Sequence, residues 1–183
     1  MGQQYQELNQ SHIDFINEQK IYFVGTATAE SKVNISPKGQ DSLRVISPSR
    51  VAWLNVTGSG NESAAQVQID PKMTIMFAAF EGDPVILRIY GKARVVHKND
   101  KHWDELSSLF PALPGARQIF DVEIELVQKS CGMSVPFFNY VSERDQLNTW
   151  AIKKGEAGIK EYWIEKNQRS IDNLPTYIVE KNL

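Results

Sequence analysis

Apolar and polar positions alternate with the period of strands through the first two thirds of the chain, then shift to helical spacing. Ile21–Thr28 is almost wholly β-branched, aromatic or small, and Val33–Ser36 alternates apolar with polar beyond the turn at Glu30-Ser31-Lys32. The two predict a hairpin. Pro37–Asp41 is expected to break its ladder, since proline has no N–H to offer. Leu43–Ser47 and Val51–Val56 predict further strands, Met73–Phe80 one buried on both faces, and Val85–Val96 a long one with Gly91 at a bulge or corner. Phe120–Val127 alternates strictly, one face apolar and the other acidic and solvated. Helices are predicted from Ser11 to near Lys20, from Glu62 to Ile69, and after Asp100 through Trp103, Leu106, Leu109 and Phe110. From Ser142 the pattern is helical, with Gly155 ending one helix before another around Ile159 to Lys166. Strands first, helices gathered at the end and no regular βαβ alternation predict an α+β chain with a mainly antiparallel sheet, a small barrel. It is expected to form a single domain over 1–183, with the barrel over about 20–130 and a helical extension over about 140–175.

The stretch after the central strand holds the most chemistry. Thr57-Gly58-Ser59-Gly60-Asn61-Glu62-Ser63 is a glycine-containing turn leading into a helix. Ser59 as N-cap with Glu62 at the third helical position fits a capping box. Unpaired N–H groups converge at such a junction, which suits an anion such as a cofactor phosphate. A plain, well-capped strand–turn–helix needs the same residues, and the turn alone does not choose.

Composition narrows the partners. A net charge of −2 and a pI near 5.9 give no general attraction to nucleic acid or anionic lipid, so phosphate recognition has to be local. Cys131 is the only cysteine and cannot form an internal disulfide; beside Gly132 it reads as a small buried residue. No run of about 18 apolar residues is present, and the first residues lack the basic-then-apolar order of a signal peptide, so no membrane partner and a cytoplasmic location are expected. His12, His97 and His102 are scattered and give no metal-ligand spacing. Trp150, Tyr162 and Trp163 read as packing or dimer contacts, and Arg88 as a side chain that snorkels or pairs with a carboxylate. Lys38 reads either as a solvated turn residue or as a functional cation.

With the strand order in hand, Val33–Gly39, Trp53–Ala65, Ile75–Gly82 and Ile86–Gly91 resemble the pyridoxamine 5′-phosphate oxidase-like family of FMN-binding split barrels. The likeness continues through Cys131–Pro136, Tyr140–Asp145, Lys166-Asn167 and Ser170–Pro175, and is greatest to the uncharacterised branch of the family. It implies a homodimeric, mainly antiparallel split β-barrel with flanking helices and FMN at the subunit interface. By position it implies that Asn34, Ile35, Ser36, Pro37 and Lys38 lie along the flavin ring, Lys38 as a cation near its N1–C2=O edge. Val56 and Thr57 then end the neighbouring strand, Asn61, Glu62 and Ser63 face the phosphate, and Asn167 and Ser170 reach the partner's flavin. The implied activity is flavin-dependent oxidation or reduction of a small molecule; a non-catalytic flavin-, haem- or ligand-binding module is the alternative, and no catalytic residue is assigned. The sequence does not separate FMN from FAD or a deazaflavin. Glu62-Ser63 stands where the vitamin-salvage oxidase resembled here carries Arg-Lys, and Glu180–Leu183 lacks its Arg-x-x-Pro ending. Both departures argue against pyridoxamine phosphate as substrate, which stays open.

Overall fold

A computed structural model describes residues 2–183. The elements are β1 (Gln3–Tyr5), α1 (Gln10–Glu18), β2 (Tyr22–Thr26), β3 (Asn34–Lys38), β4 (Leu43–Ser47), β5 (Arg50–Val56), α2 (Glu62–Val67), β6 (Lys72–Ala78), β7 (Val85–His97), α3 (Trp103–Ser107), β8 (Ala116–Cys131), α4 (Gln146–Lys166) and α5 (Ile178–Asn182). All strand pairs are antiparallel. The eight-stranded sheet runs β3-β2-β6-β7-β8-β5-β4, with β1 added against β8. The sheet does not close, and the fold is an α+β split barrel. β3 and β4 are consecutive in sequence yet stand at opposite ends of the sheet order. The short Gly39–Ser42 link between them brings those ends face to face. Leu54 N–H donates to the Ser42 carbonyl at 2.8 Å, and the Tyr22 and Ser42 hydroxyls lie 2.8 Å apart, holding the link in place.

Period-two burial builds the core. Val24, Val51, Ile75, Leu87, Ile89, Phe120, Val122 and Val127 are all fully buried in one cluster. Trp53 pairs directly across with Phe120, and the rings stack at 4.5 Å. Truncating a buried aromatic of this kind costs about 3–5 kcal/mol. A second cluster sets Leu54, Val96 and Ile119 against Leu106 of α3, and a third sets Ala151, Ile159 and Trp163 of α4 against Ile178 of α5.

Gly91 sits where the β7–β8 register shifts, and a Cβ there would meet the Glu123 carbonyl oxygen at 2.2 Å. Only glycine lets the strands approach so closely. Gly155 (φ +67°) kinks α4, so the two predicted C-terminal helices join across a bend.

Several expectations need correction. β3 does not stop at Pro37 but runs on to Lys38, with Pro37 opposite Phe23; an edge strand tolerates the missing donor. Asn9, not Ser11, caps α1, accepting from His12 N–H at 3.0 Å. The acidic face of β8 is not uniformly solvated: Asp121 is only 7% exposed and is held by Arg50 at 2.7 Å and Arg94 at 2.7 Å. Burial acts to raise its pKa, but these two arginines hold the carboxyl below its ordinary value. Cys131 is exposed, because β8 ends there. Arg88 has no carboxylate partner among the described residues and donates to the Ser130 hydroxyl at 3.1 Å. Among the described residues no helix is long and apolar enough to cross a membrane.

Candidate functional site

The face-to-face ends of the sheet enclose a cavity of about 430 Å³ between β3, the end of β5 and the turn that follows. Its volume lies in the range of small-molecule sites. Alternation along β3 turns Asn34, Ser36 and Lys38 toward it, while Ile35 is 68% exposed on the opposite face and does not line it. Pro37, Val56, Thr57, Asn61, Glu62 and Ser63 also border the cavity. The structure therefore brings nine of the twelve sequence-assigned residues to one place, and leaves out Ile35, Asn167 and Ser170.

Each wall is fixed by hydrogen bonds. Asn34 Nδ2 donates to Ser63 Oγ at 3.1 Å, and Thr26 Oγ1 to Gln66 Oε1 at 2.7 Å, tying α2 to β2 and β3. Thr57 is 1% exposed; its hydroxyl donates to the Gly115 carbonyl at 2.6 Å and accepts from Trp163 Nε1 at 2.8 Å. That proton is already committed, so Thr57 shapes the site and does not act as an acid.

The turn is held from behind by Asn167, which is wholly buried. Asn167 Nδ2 donates to the Gly58 carbonyl at 3.0 Å and the Ser59 carbonyl at 3.4 Å, and Arg117 donates to the Gly60 carbonyl at 2.7 Å. The turn's carbonyls are thus drawn to the core side. Among the described residues nothing accepts from the amides of Gly58, Ser59, Gly60 or Asn61. Ser170, in turn, closes a tight loop, its hydroxyl accepting from Leu174 N–H at 3.1 Å.

The capping box does not form. Asn61 (φ −143°) is the N-cap, so Glu62 is the first helical residue rather than the third. Its carboxylate turns out of the turn to accept from Ile171 N–H at 3.0 Å and 3.2 Å. With six residues, α2 is too short for its dipole to matter much, and individual donors must hold any anion.

Electrostatically the cavity is short of negative charge. Lys38 is half-buried, with its Nζ 4.8 Å from the centre of the Trp53 ring and no carboxylate within 4 Å among the described residues. Burial, and then the Arg117 guanidinium, push its pKa down to about 8. Arg117 was not legible as a site residue: it is a single cation near the start of β8, with no local motif around it. It is 4% exposed, and burial lowers its pKa to about 9, which leaves it charged at neutral pH.

A second, more open chamber of about 980 Å³ shares Pro37, Lys38, Gly39, Gln40 and Leu147 with the first and is walled by Phe80, Phe138, Tyr140 and Val141. The aromatic walls are apolar, and the shared edge places any occupant beside Lys38.

Comparison with known proteins agrees with the geometry. Residues 8–131 match the family model described as pyridoxamine 5′-phosphate oxidase. The chain is similar to the pyridoxamine 5′-phosphate oxidase family protein ustO of Aspergillus flavus, at 31% identity over 191 residues, covering 93% of this chain and 76% of that one. Among solved structures it is similar to a putative pyridoxamine 5′-phosphate oxidase from Lactobacillus delbrueckii, with a TM-score of 0.53, 20% identity, and 67% of this chain and 94% of that one covered. It is similar also to HupZ of Group A Streptococcus, with a TM-score of 0.53, 18% identity, and 65% and 91% covered. At these identities the two structures speak for the fold alone.

Proposed function

The chain belongs to the pyridoxamine 5′-phosphate oxidase family, and from that premise we propose that it is an FMN-binding flavoprotein, a homodimeric oxidoreductase acting on a small molecule. The observation that carries this reading is the single cavity in which β3 meets the turn after β5, with amide donors at one end and a cation over an aromatic ring at the other. These residues fit a flat, phosphorylated ligand. Asn34, Ser36, Pro37 and Lys38 would border its ring, Val56 and Thr57 its middle, and Asn61 and Ser63 its phosphate. Glu62 offers its amide side, its carboxylate being bound elsewhere.

FMN, when bound, supplies the two-electron chemistry. The chain supplies position, charge and exclusion of water. Lys38 places a positive charge where the ring's N1–C2=O edge would lie, favouring a ring that carries extra negative charge. Thr57 and Asn34 keep their walls rigid through bonds already made, so the Thr57 hydroxyl is not free to shuttle a proton. The aromatic-walled chamber beside Lys38 is the place for a substrate with an apolar body.

The homodimer finds support on the outer face of β3. Val33 is 69%, Ile35 68% and Ile171 72% exposed, close together because Lys32 pairs with Asp172 at 2.6 Å. An edge strand carrying bare apolar side chains invites a second chain. Ile35 and the Ser170–Asp172 turn, which miss the cavity of one protomer, would meet the partner there. A cytoplasmic location is part of the same proposal.

Purified protein should be yellow, with a band near ~450 nm from its flavin. Colourless protein that takes up no added FMN would sink the proposal. Steady turnover of a reduced nicotinamide with an acceptor separates an enzyme from a flavin carrier.

A further inference from the structure

We propose that Arg117 is an anion ligand of this cavity: delivered from β8 rather than from the turn, it supplies the cation for a phosphate group that the start of α2 lacks. The inference rests on the flavin reading for the identity of the phosphate, but its chemistry stands without a flavin.

The guanidinium is 96% shielded from solvent, being only 4% exposed, yet no carboxylate lies within 4 Å of it among the described residues. Its bonds go to neutral acceptors, Asn167 Oδ1 at 2.9 Å and the Gly60 carbonyl at 2.7 Å. Its Nε has no acceptor among the described residues. A buried cation left without a counter-charge is costly, and native proteins compensate such groups. Here the compensation is missing from the chain itself. Glu62, the sole carboxylate bordering the cavity among the described residues, is turned to the Ile171 amide. Lys38 borders the same space, also with no carboxylate within 4 Å among the described residues, so two like charges share one cavity.

The surrounding groups match a phosphate and not merely any anion. The unaccepted amides of residues 58–61 lie in the turn whose Gly60 carbonyl Arg117 holds. An arginine can brace that carbonyl and Asn167 with its two terminal nitrogens and keep Nε, in the same rigid plane, for a third acceptor. A three-oxygen group would take Nε and the amides together. Arg117 would then fix the turn and bind the ligand at once.

The test titrates full-length protein with FMN and riboflavin, which differ only in the phosphate, and separately follows melting with inorganic phosphate. Wild type should prefer FMN, and Arg117→Met should reduce that preference by about tenfold or more while changing riboflavin affinity less than about threefold. A folded Arg117→Met protein that keeps the full preference overturns the proposal. Where Arg117→Met melts non-cooperatively, Arg117→Gln, which retains a neutral donor, replaces it. Inorganic phosphate should raise the melting temperature of wild type and not of Arg117→Gln; an equal rise in both overturns the proposal. Wild type that binds neither flavin but shows the phosphate response, lost in Arg117→Gln, keeps the anion site and refutes the flavin reading. No response to FMN or phosphate refutes both.

Discussion

Asn167→Ala should be the most damaging single change outside the apolar core. The side chain makes three bonds: it accepts from Arg117 at 2.9 Å and donates to the carbonyls of Gly58 at 3.0 Å and Ser59 at 3.4 Å. Its backbone bonds, from Thr176 Oγ1 at 2.6 Å and to the Trp163 carbonyl at 3.0 Å, survive the substitution. The bond to the charged guanidinium is worth about 1.5–3 kcal/mol, and stranding one buried carbonyl about 1–3 kcal/mol. Counting the long Ser59 contact as negligible, the loss is about 2.5–6 kcal/mol. Urea unfolding followed by tryptophan fluorescence measures it, with an unchanged m-value showing that the folded surface is the same. Asn167→Asp sharpens the case, since it keeps the acceptor and gives Arg117 a counter-charge. It should lose FMN preference over riboflavin, because the carboxylate replaces the ligand's own charge, while its second oxygen faces the Gly58 carbonyl where a donor stood. A loss below about 1 kcal/mol in Asn167→Ala would show that water satisfies the turn and that the buried brace does not hold it.

Three further outcomes follow from charge and packing. Lys38 titrates near 8 in the folded chain and at 10.5 in the unfolded one, so its penalty is present below pH 8 and relieved as pH rises toward 10.5. Phosphate remains dianionic there, so FMN affinity should fall as pH passes about 8, and Lys38→Met should flatten that decline in titrations from pH 7 to 9.5. Asp121→Asn strands Arg50 and Arg94; because both arginines are partly exposed, about 1–2 kcal/mol should be lost at pH 7. That difference should vanish in acid, since the pairing contributes above the unfolded carboxyl value and is lost as pH falls through the lowered folded one. Ile35→Glu should halve the mass in analytical ultracentrifugation without altering the monomer's circular dichroism; an unchanged mass would remove the outer face of β3 from the dimer proposal.

What could be read from the chain was what depends on local period. Alternation gave the strands within a few residues and set Asn34 and Ser36 on one face, though not Lys38, which was expected beyond the strand's end; Gly91 and Gly155 announced the bulge and the bend. What could not be read depends on contacts between distant segments. Nothing local marks Arg117, whose neighbours Ala116 and Gln118 belong to an ordinary strand; its burial appears only when α4 and the turn close over it. Glu62 sits at the right spacing from Ser59 for a capping box, but the 170–172 turn offers its amide to the carboxylate instead. Asp121 looked like its outward neighbours Glu123 and Glu125 until Arg50 and Arg94 arrived from the two flanking strands. β1 and α5 are too short to carry a period at all.

Trp163 and Asn167, which steady the turn after β5, lie far beyond residue 131, where the family match ends. A ribosome that has made every strand has still not made them. The sheet can therefore assemble early, whereas a grip on ligand has to wait for the closing residues of α4, and bound ligand reports that this late segment has docked.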